Sequence, residues 1–165
     1  MPHLGNFELR AGELELIPLT AEDAAELAPL LDDPALHRYI GGEPLSPQEL
    51  EERYRRLEAG APPGSGEEWL NWVIRRREDG RAVGTAQATI RGDTALVAWV
   101  VASAWQGRGY AKAAAQALVA WLRDERGLTV AANVHPEHAA SEHVAQAAGL
   151  TLTDRWADGE RVWSS

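Results

Sequence analysis

The chain has 165 residues, a formal net charge of −9 and no cysteine. That length makes one ordinary domain able to bury a core, and the missing thiols exclude disulfides, thiol catalysis and a cysteine zinc site. The acidic balance argues against nucleic acid and anionic membrane as main partners and mildly favours cationic acceptors such as amines, although it also serves plain solubility. At the N-terminus, Met1 to Asn6 lacks a basic region followed by an apolar stretch, so no secretory signal is expected. No apolar run approaches the length that crosses a bilayer, and the expected location is cytoplasmic.

Further along, Glu13 to Leu19 reads as a first strand. Thr20 then caps a helix through Leu31, with Asp23 three residues on as capping-box partner. Ser46-Pro47 opens a second helix, Pro47 to Glu58, with Leu50, Tyr54 and Leu57 on one face. Ala61 to Gly66, rich in proline and glycine, reads as a surface loop. Trp69 to Arg77 and Arg81 to Ile90 flank Glu78-Asp79-Gly80, a hairpin signal. A tight connection at Arg91-Gly92-Asp93 leads into a strand ending at Val101. A long helix follows, then a strand over Thr129 to Val134 and a helix from about Ala139 to Ala148, closed by Gly149. A last hairpin, Leu152 to Ala157 and Arg161 to Trp163, turns at Asp158-Gly159. The local order is β-α-α-β-β-β-α-β-α-β-β, with no internal repeat and no low-complexity tract.

The most informative stretch is Ala98 to Gly127. Leu96 to Val101 is a continuous apolar run, as in a buried strand. After the turn Gln106-Gly107-Arg108-Gly109-Tyr110-Ala111, the residues Tyr110, Ala114, Ala117, Leu118, Trp121 and Leu122 recur at helical spacing, and Gly127 stops the helix. Glycines at a helix start let phosphate oxygens approach bare backbone N–H groups, where the unsatisfied first-turn donors and the helix dipole hold an anion. Arg108 and Lys112 add positive charge there. The expectation is a pyrophosphate cradle. It is neither a Walker loop nor a dinucleotide fingerprint, whose third glycine position is Lys112 here. A bare G-x-G would indicate only a tight turn; the whole string Gln-x-x-Gly-x-Ala between apolar strand and long helix is more specific.

That string resembles the coenzyme-A signature Q/R-x-x-G-x-G/A of the GNAT superfamily of N-acetyltransferases. His135-Pro136-Glu137-His138-Ala139-Ala140-Ser141, followed by Val144 and Ala148-Gly149-Leu150, is similar to the family's second motif. Leu16 to Asp23 and Asp33 to Tyr39 resemble the opening of the RimJ/RimL-like branch. The resemblance runs from about Leu14 to the C-terminus and is sharpest over Ala98 to Gly149. It implies a mixed α/β (α+β) GNAT-like fold over residues 1 to 165: a mostly antiparallel sheet splayed at one parallel strand pair, with helices on both faces.

The resemblance also implies site residues. Trp99, Val100 and Val101 would lie along the pantetheine arm, with the Val101 main chain a candidate for polarising the thioester. Gln106, Gly107, Arg108, Gly109, Tyr110 and Ala111 would hold the pyrophosphate, with acetyl-CoA as co-substrate and no metal. His138 stands where the family's second motif usually has a pantetheine-contacting asparagine. Ser141 matches the branch's serine; either it hydrogen-bonds the departing thiolate or it caps the helix after Pro136. Two departures bear on catalysis: Leu96 occupies the position of a glutamate found in many relatives, and Ala145 that of a thiol-protonating tyrosine. No general base is evident, and Glu43, Glu67, Glu68, Asp93 and His138 are the candidates.

Seven tryptophans are unusual. Trp72, Trp99 and Trp121 sit on apolar patterns and read as core. Trp105, beside Gln106, is expected to be more exposed and to border the cofactor. Trp69, Trp156 and Trp163 are candidates for an acceptor pocket or a dimer surface, with core packing the default. His135, His138 and His143 lack metal-ligand spacing and read as exposed or loop-anchoring residues.

The leading functional expectation is transfer of an acetyl group from acetyl-CoA to a primary amine: a protein N-terminus, an amino acid, a polyamine or an aminoglycoside. The alternatives are a longer acyl donor such as succinyl-CoA, a catalytically silent acyl-CoA sensor, and a nucleotide-binding protein unrelated to acyl transfer. A homodimer is left open.

Overall fold

The structure is a computed structural model that describes residues 8–40 and 43–165, and the side chains of all of these except 38–40. The reading of Met1 to Asn6 lies outside the described residues. Strand β1 (Leu9–Ala11) turns at Gly12 into β2 (Leu14–Pro18). A short 3-10 turn leads into helices α1 (Ala24–Leu31), α2 (Pro34–Ile40) and α3 (Pro47–Ala59). Strands β3 (Glu67–Arg76), β4 (Ala82–Arg91) and β5 (Thr94–Val101) form a meander. Then come α4 (Tyr110–Asp124), β6 (Thr129–Val134), α5 (Ala139–Ala147) and the hairpin β7 (Thr151–Ala157) and β8 (Glu160–Ser164).

Two elements escape the sequence reading. Strand β1 is only three residues long, too short to show a period of two, and β2 supplies its pairing. Helix α2 starts at Pro34, which Asp33 precedes, and its seven residues, about two turns, are too few to show a periodic stripe. The first helix also begins differently. Thr20 and Asp23 form the expected capping box, with the Thr20 backbone N–H donating to Asp23 Oδ2 at 2.8 Å, but the turn it opens is 3-10 over Ala21–Asp23 before α1 begins. The second helix starts as read, with Ser46 and Glu49 capping reciprocally at 3.2 and 3.0 Å.

The strands form one sheet in the order β1-β2-β3-β4-β5-β6-β8-β7. Only β5 and β6 run parallel, and their register covers Thr94 to Val97 against Thr129 to Ala132. Beyond that the two strands part: Asn133 and Val134 keep their pairing with β8 on the other edge of β6 but have no register partner on β5. This splay is the feature that builds the site.

Alternation assigns the two faces. Leu70, Trp72 and Ile74 of β3, with Val97 and Val101 of β5, join the large core beneath α4 and α5. Val73 faces the other way, into a second cluster with Leu27 of α1 and Leu50 and Tyr54 of α3. Helices therefore cover both faces. Trp72 is fully buried and meets Trp121 edge-on at 5.9 Å and 87°, a favourable quadrupole arrangement.

Gly84 fixes how β4 meets β5. A Cβ there would lie 1.9 Å from the Val100 carbonyl oxygen, so only glycine lets the strands approach at this point.

Candidate active site

The cradle follows from its glycines. Gly107 and Gly109 hold φ of 80° and 79°, the left-handed region that only glycine enters freely. Gly109 is the N-cap of α4, and no side chain caps it. The N–H groups of the first helical turn are thus donors without an intrahelical partner, at the positive end of a 15-residue dipole. A Cβ on Gly107 or Gly109 would meet nothing within 4 Å, so open space faces this backbone. Lys112 stands on the first turn of the helix. These features fit a diphosphate.

The cradle is tied to the strand before it. Gln106 Nε2 donates to the Val101 carbonyl at 2.9 Å. Ala102 N–H donates to the Val83 carbonyl at 2.8 Å, so by antiparallel alternation the main-chain groups of Val101 and Trp99 aim away from β4, toward the splay. The ladder to β6 has ended by then, at Val97 and Ala132.

On the far side of β5 lies a cavity of about 550 Å3. Asn71, Gln87 and Thr89 belong to its floor on the open sheet face, and leucines of α1 and α3 belong to its roof. It reaches through the splay to α5. Of the predicted site residues, Trp99, Val100, His138 and Ser141 line it. Val101 and residues 106–111 lie outside its walls. The cradle and the cavity thus flank the splayed end of β5 and are linked through Val101.

Side-chain positions correct several expectations. Trp105 is only 7% exposed and lies beneath the guanidinium groups of Arg76, Arg81 and Arg108, at 4.8, 4.9 and 5.0 Å from its ring centre. Tyr110 is equally buried, its ring 6.4 Å from Trp105, so only its backbone can serve the cradle. Trp163 is in the core. Neither Trp69 nor Trp156 lines the cavity; Trp156 is 58% exposed on the edge strand β7. Ser141 is not a helix cap: His138 holds the N-cap position of α5, and Ser141 Oγ lies 3.4 Å from His138 Nε2. Ala145, one turn after Ser141, is fully buried.

The proposed bases separate sharply. Glu67 accepts from the Trp69 indole at 3.1 Å and from Arg91 at 2.7 Å, which together hold its carboxyl below the usual carboxylate range. Glu68 is engaged by Arg126 at 2.6 Å. These two and Asp93 stand at the Thr94 end of the sheet, about 23 Å from Val101 at strand rise. Glu43 and His138 remain, since both line the cavity.

One carboxylate was missed. Glu160, at the start of β8, also lines the cavity. Arg161 pairs with Val134, which sets Glu160 one position on, beside His135. Burial pushes its carboxyl above the ordinary range and Asp158 adds to this, against the opposing pull of His135. Nothing in its local sequence, next to a Asp158-Gly159 turn, distinguishes it from a solvated hairpin residue; only the β6–β8 pairing brings it to the site. Burial likewise lowers the His138 imidazole below its usual value, helped by His135 and opposed by Glu142. This favours the neutral imidazole. Tyr54 in the cavity roof is raised to about 12 by burial and stays protonated. Among the described residues no three His, Cys, Asp or Glu side chains gather as a metal site, and no helix is long and apolar enough to cross a membrane.

A family model described as acetyltransferase (GNAT) domain matches residues 13–151. No curated protein sequence matches the chain significantly. Among solved structures, RimJ of Mycobacterium smegmatis in complex with CoA-disulfide superposes with a TM-score of 0.79 at 23% identity, covering 96% of this chain and 85% of that one. The ribosomal L7/L12 α-N-protein acetyltransferase RimL, in complex with coenzyme A, gives 0.79 at 14% identity, covering 96% and 97%. A GNAT-family acetyltransferase from Bacillus anthracis gives 0.78 at 17% identity, covering 96% and 98%.

Proposed function

Because this chain belongs to the GNAT acetyltransferase family, and is accordingly an N-acetyltransferase that uses acetyl-CoA and needs no metal, we propose that its 165 residues form one domain that acetylates a primary amine in the cavity beside the β5–β6 splay. The observation that carries this reading is the splay itself. It sets the cradle at one side of Val101 and Trp99, Val100, His138 and Ser141 around one cavity at the other.

Acetyl-CoA supplies an activated thioester, so the protein has to bind it, deliver a neutral amine and protonate the departing sulfur. In this reading Gln106, Gly107, Arg108, Gly109 and Ala111, with the backbone of Tyr110, hold the diphosphate. The Val101 N–H, aimed into the splay, polarises the acyl carbonyl. Ser141 Oγ, with His138 Nε2 beside it, hydrogen-bonds the sulfur as negative charge grows there. Glu160 receives the amine's proton. Its raised affinity for protons suits it to this better than an ordinary carboxylate, and it fills the role left open by Leu96.

The acceptor is a protein N-terminus or a small-molecule amine, and the setting is cytoplasmic. Leu152 and Trp156, both exposed on edge strand β7, support a homodimer, which sedimentation would test. The test of the reaction is thiol release from acetyl-CoA and succinyl-CoA across a panel of amines. Amine-dependent release that is faster with acetyl-CoA is expected. Binding of acetyl-CoA without release for any amine would favour a silent sensor instead.

A further inference from the structure

The charge of −9 suggests an acceptor rich in cationic groups, yet the cavity does not carry that charge. Its carboxylates among the described residues are Glu43 and Glu160, and Arg53 also lines it. Once Glu160 receives the reacting amine, Glu43 alone faces Arg53. A polyamine or an aminoglycoside would leave further ammonium groups with neutral amide and hydroxyl partners and too few carboxylates, which is costly in a partly desolvated site.

Above the neutral polar floor of Asn71, Gln87 and Thr89, the roof of the acceptor side is apolar. Leu19, Leu31, Leu50 and Leu57 converge on it from the first loop, α1 and α3. Two of the large apolar side chains that remain exposed in the protein, Leu45 at 37% and Leu96 at 41%, also line this cavity. Apolar surface gathered in a concave site and left in contact with water is surface that a ligand covers.

We infer that the preferred acceptor is a primary amine carried on an apolar body, with its nitrogen at Glu160 and His138 and its body among the leucines of α1, α3 and Leu45. This rests on the transfer reading above. Glu160 takes one proton from the ammonium. The nitrogen lone pair then forms the C–N bond while the C–S bond breaks with its electron pair on sulfur. The second nitrogen proton, passed by Ser141 Oγ and His138, ends on sulfur, and Glu160 returns its own to water. The same chemistry is presented by a free arylalkylamine or amino-acid amide and by the first residue of a peptide.

The experiment measures kcat/KM with saturating acetyl-CoA for phenylethylamine, leucinamide, a short peptide beginning with leucine, spermidine and kanamycin. The apolar amines should exceed spermidine and kanamycin by at least about tenfold, the discrimination a few methylenes give in an apolar pocket. The peptide arm tells whether the source is a free amine or a chain terminus. In Leu45→Asp, at an exposed position that tolerates the change, KM for the apolar amine should rise several-fold with acetyl-CoA affinity unchanged. Faster turnover of spermidine or kanamycin would overturn this inference and leave amine transfer standing. Acetyl-CoA binding with no amine acetylated would overturn the transfer reading, and this inference with it.

Discussion

Gln106 Nε2 donates to the Val101 carbonyl across five residues at 2.9 Å, so the first residue of the cradle is anchored to the last residue of β5. The bond holds the phosphate-binding loop and the splayed strand end in one fixed relation.

Replacing Gln106 with leucine removes that tie. One lost hydrogen bond is worth about 1 kcal/mol, so the Kd for CoA should rise roughly five- to tenfold. Isothermal calorimetry checks this; unchanged affinity would mean that the loop is held elsewhere.

Gly84→Ala tests how the splay is built. The new Cβ would fall 1.9 Å from the Val100 carbonyl oxygen, and both groups are backbone, so a strand has to move. A loss of about 2 kcal/mol or more is expected, together with weaker CoA binding, since Val100 and Val101 shift as well. Chemical denaturation and calorimetry on one sample measure both, and a variant as stable as the parent would contradict the close approach.

Ser141→Ala separates chemistry from packing. Ser141 lies inside α5 and does not cap it, so the melting temperature should change by no more than a degree or two while kcat falls at least tenfold with KM for acetyl-CoA unchanged. A stability loss with unchanged kcat would remove Ser141 from the reaction.

Glu160 gives a pH signature. Its carboxyl titrates above the ordinary range because of burial, so kcat/KM should rise with pH through an apparent pKa above 4.5, and Glu160→Gln should lose that limb and about 100-fold in rate. The stability sign is opposite. A group that holds its proton more tightly when folded favours the folded state below the unfolded pKa, and this contribution is lost as pH rises through the folded value. Glu160→Gln should therefore melt higher than the parent at pH 7 and equally with it near pH 4. A rate loss accompanied by a lower melting temperature at pH 7 would indicate a structural role.

Most elements were readable because their signals are local. The run Leu96 to Val101, the glycines at 107 and 109, the Ser46-Pro47 helix start and the Asp158-Gly159 turn each act within a few residues. What was hidden depends on pairing between distant segments. Trp105 looks exposed beside a loop until Arg76 and Arg81, from the β3–β4 hairpin, close over it with Arg108. Glu67 and Glu68 look available until Arg91 and Arg126 engage them. Glu160 reaches the cavity only because β8 inserts beside β6. The glycine turn before α4 was legible, and the arrival of Glu160 in the cavity was not.

The most direct test of the account is a calorimetric titration of acetyl-CoA into the parent protein and into Gly109→Val. At Gly109 the φ of 79° strains any L side chain, and the valine would fill the open space before the helix N-terminus. The account predicts micromolar binding to the parent and none measurable to the variant, with far-UV circular dichroism showing both folded. Equal affinity in the two proteins would contradict it and place the diphosphate elsewhere.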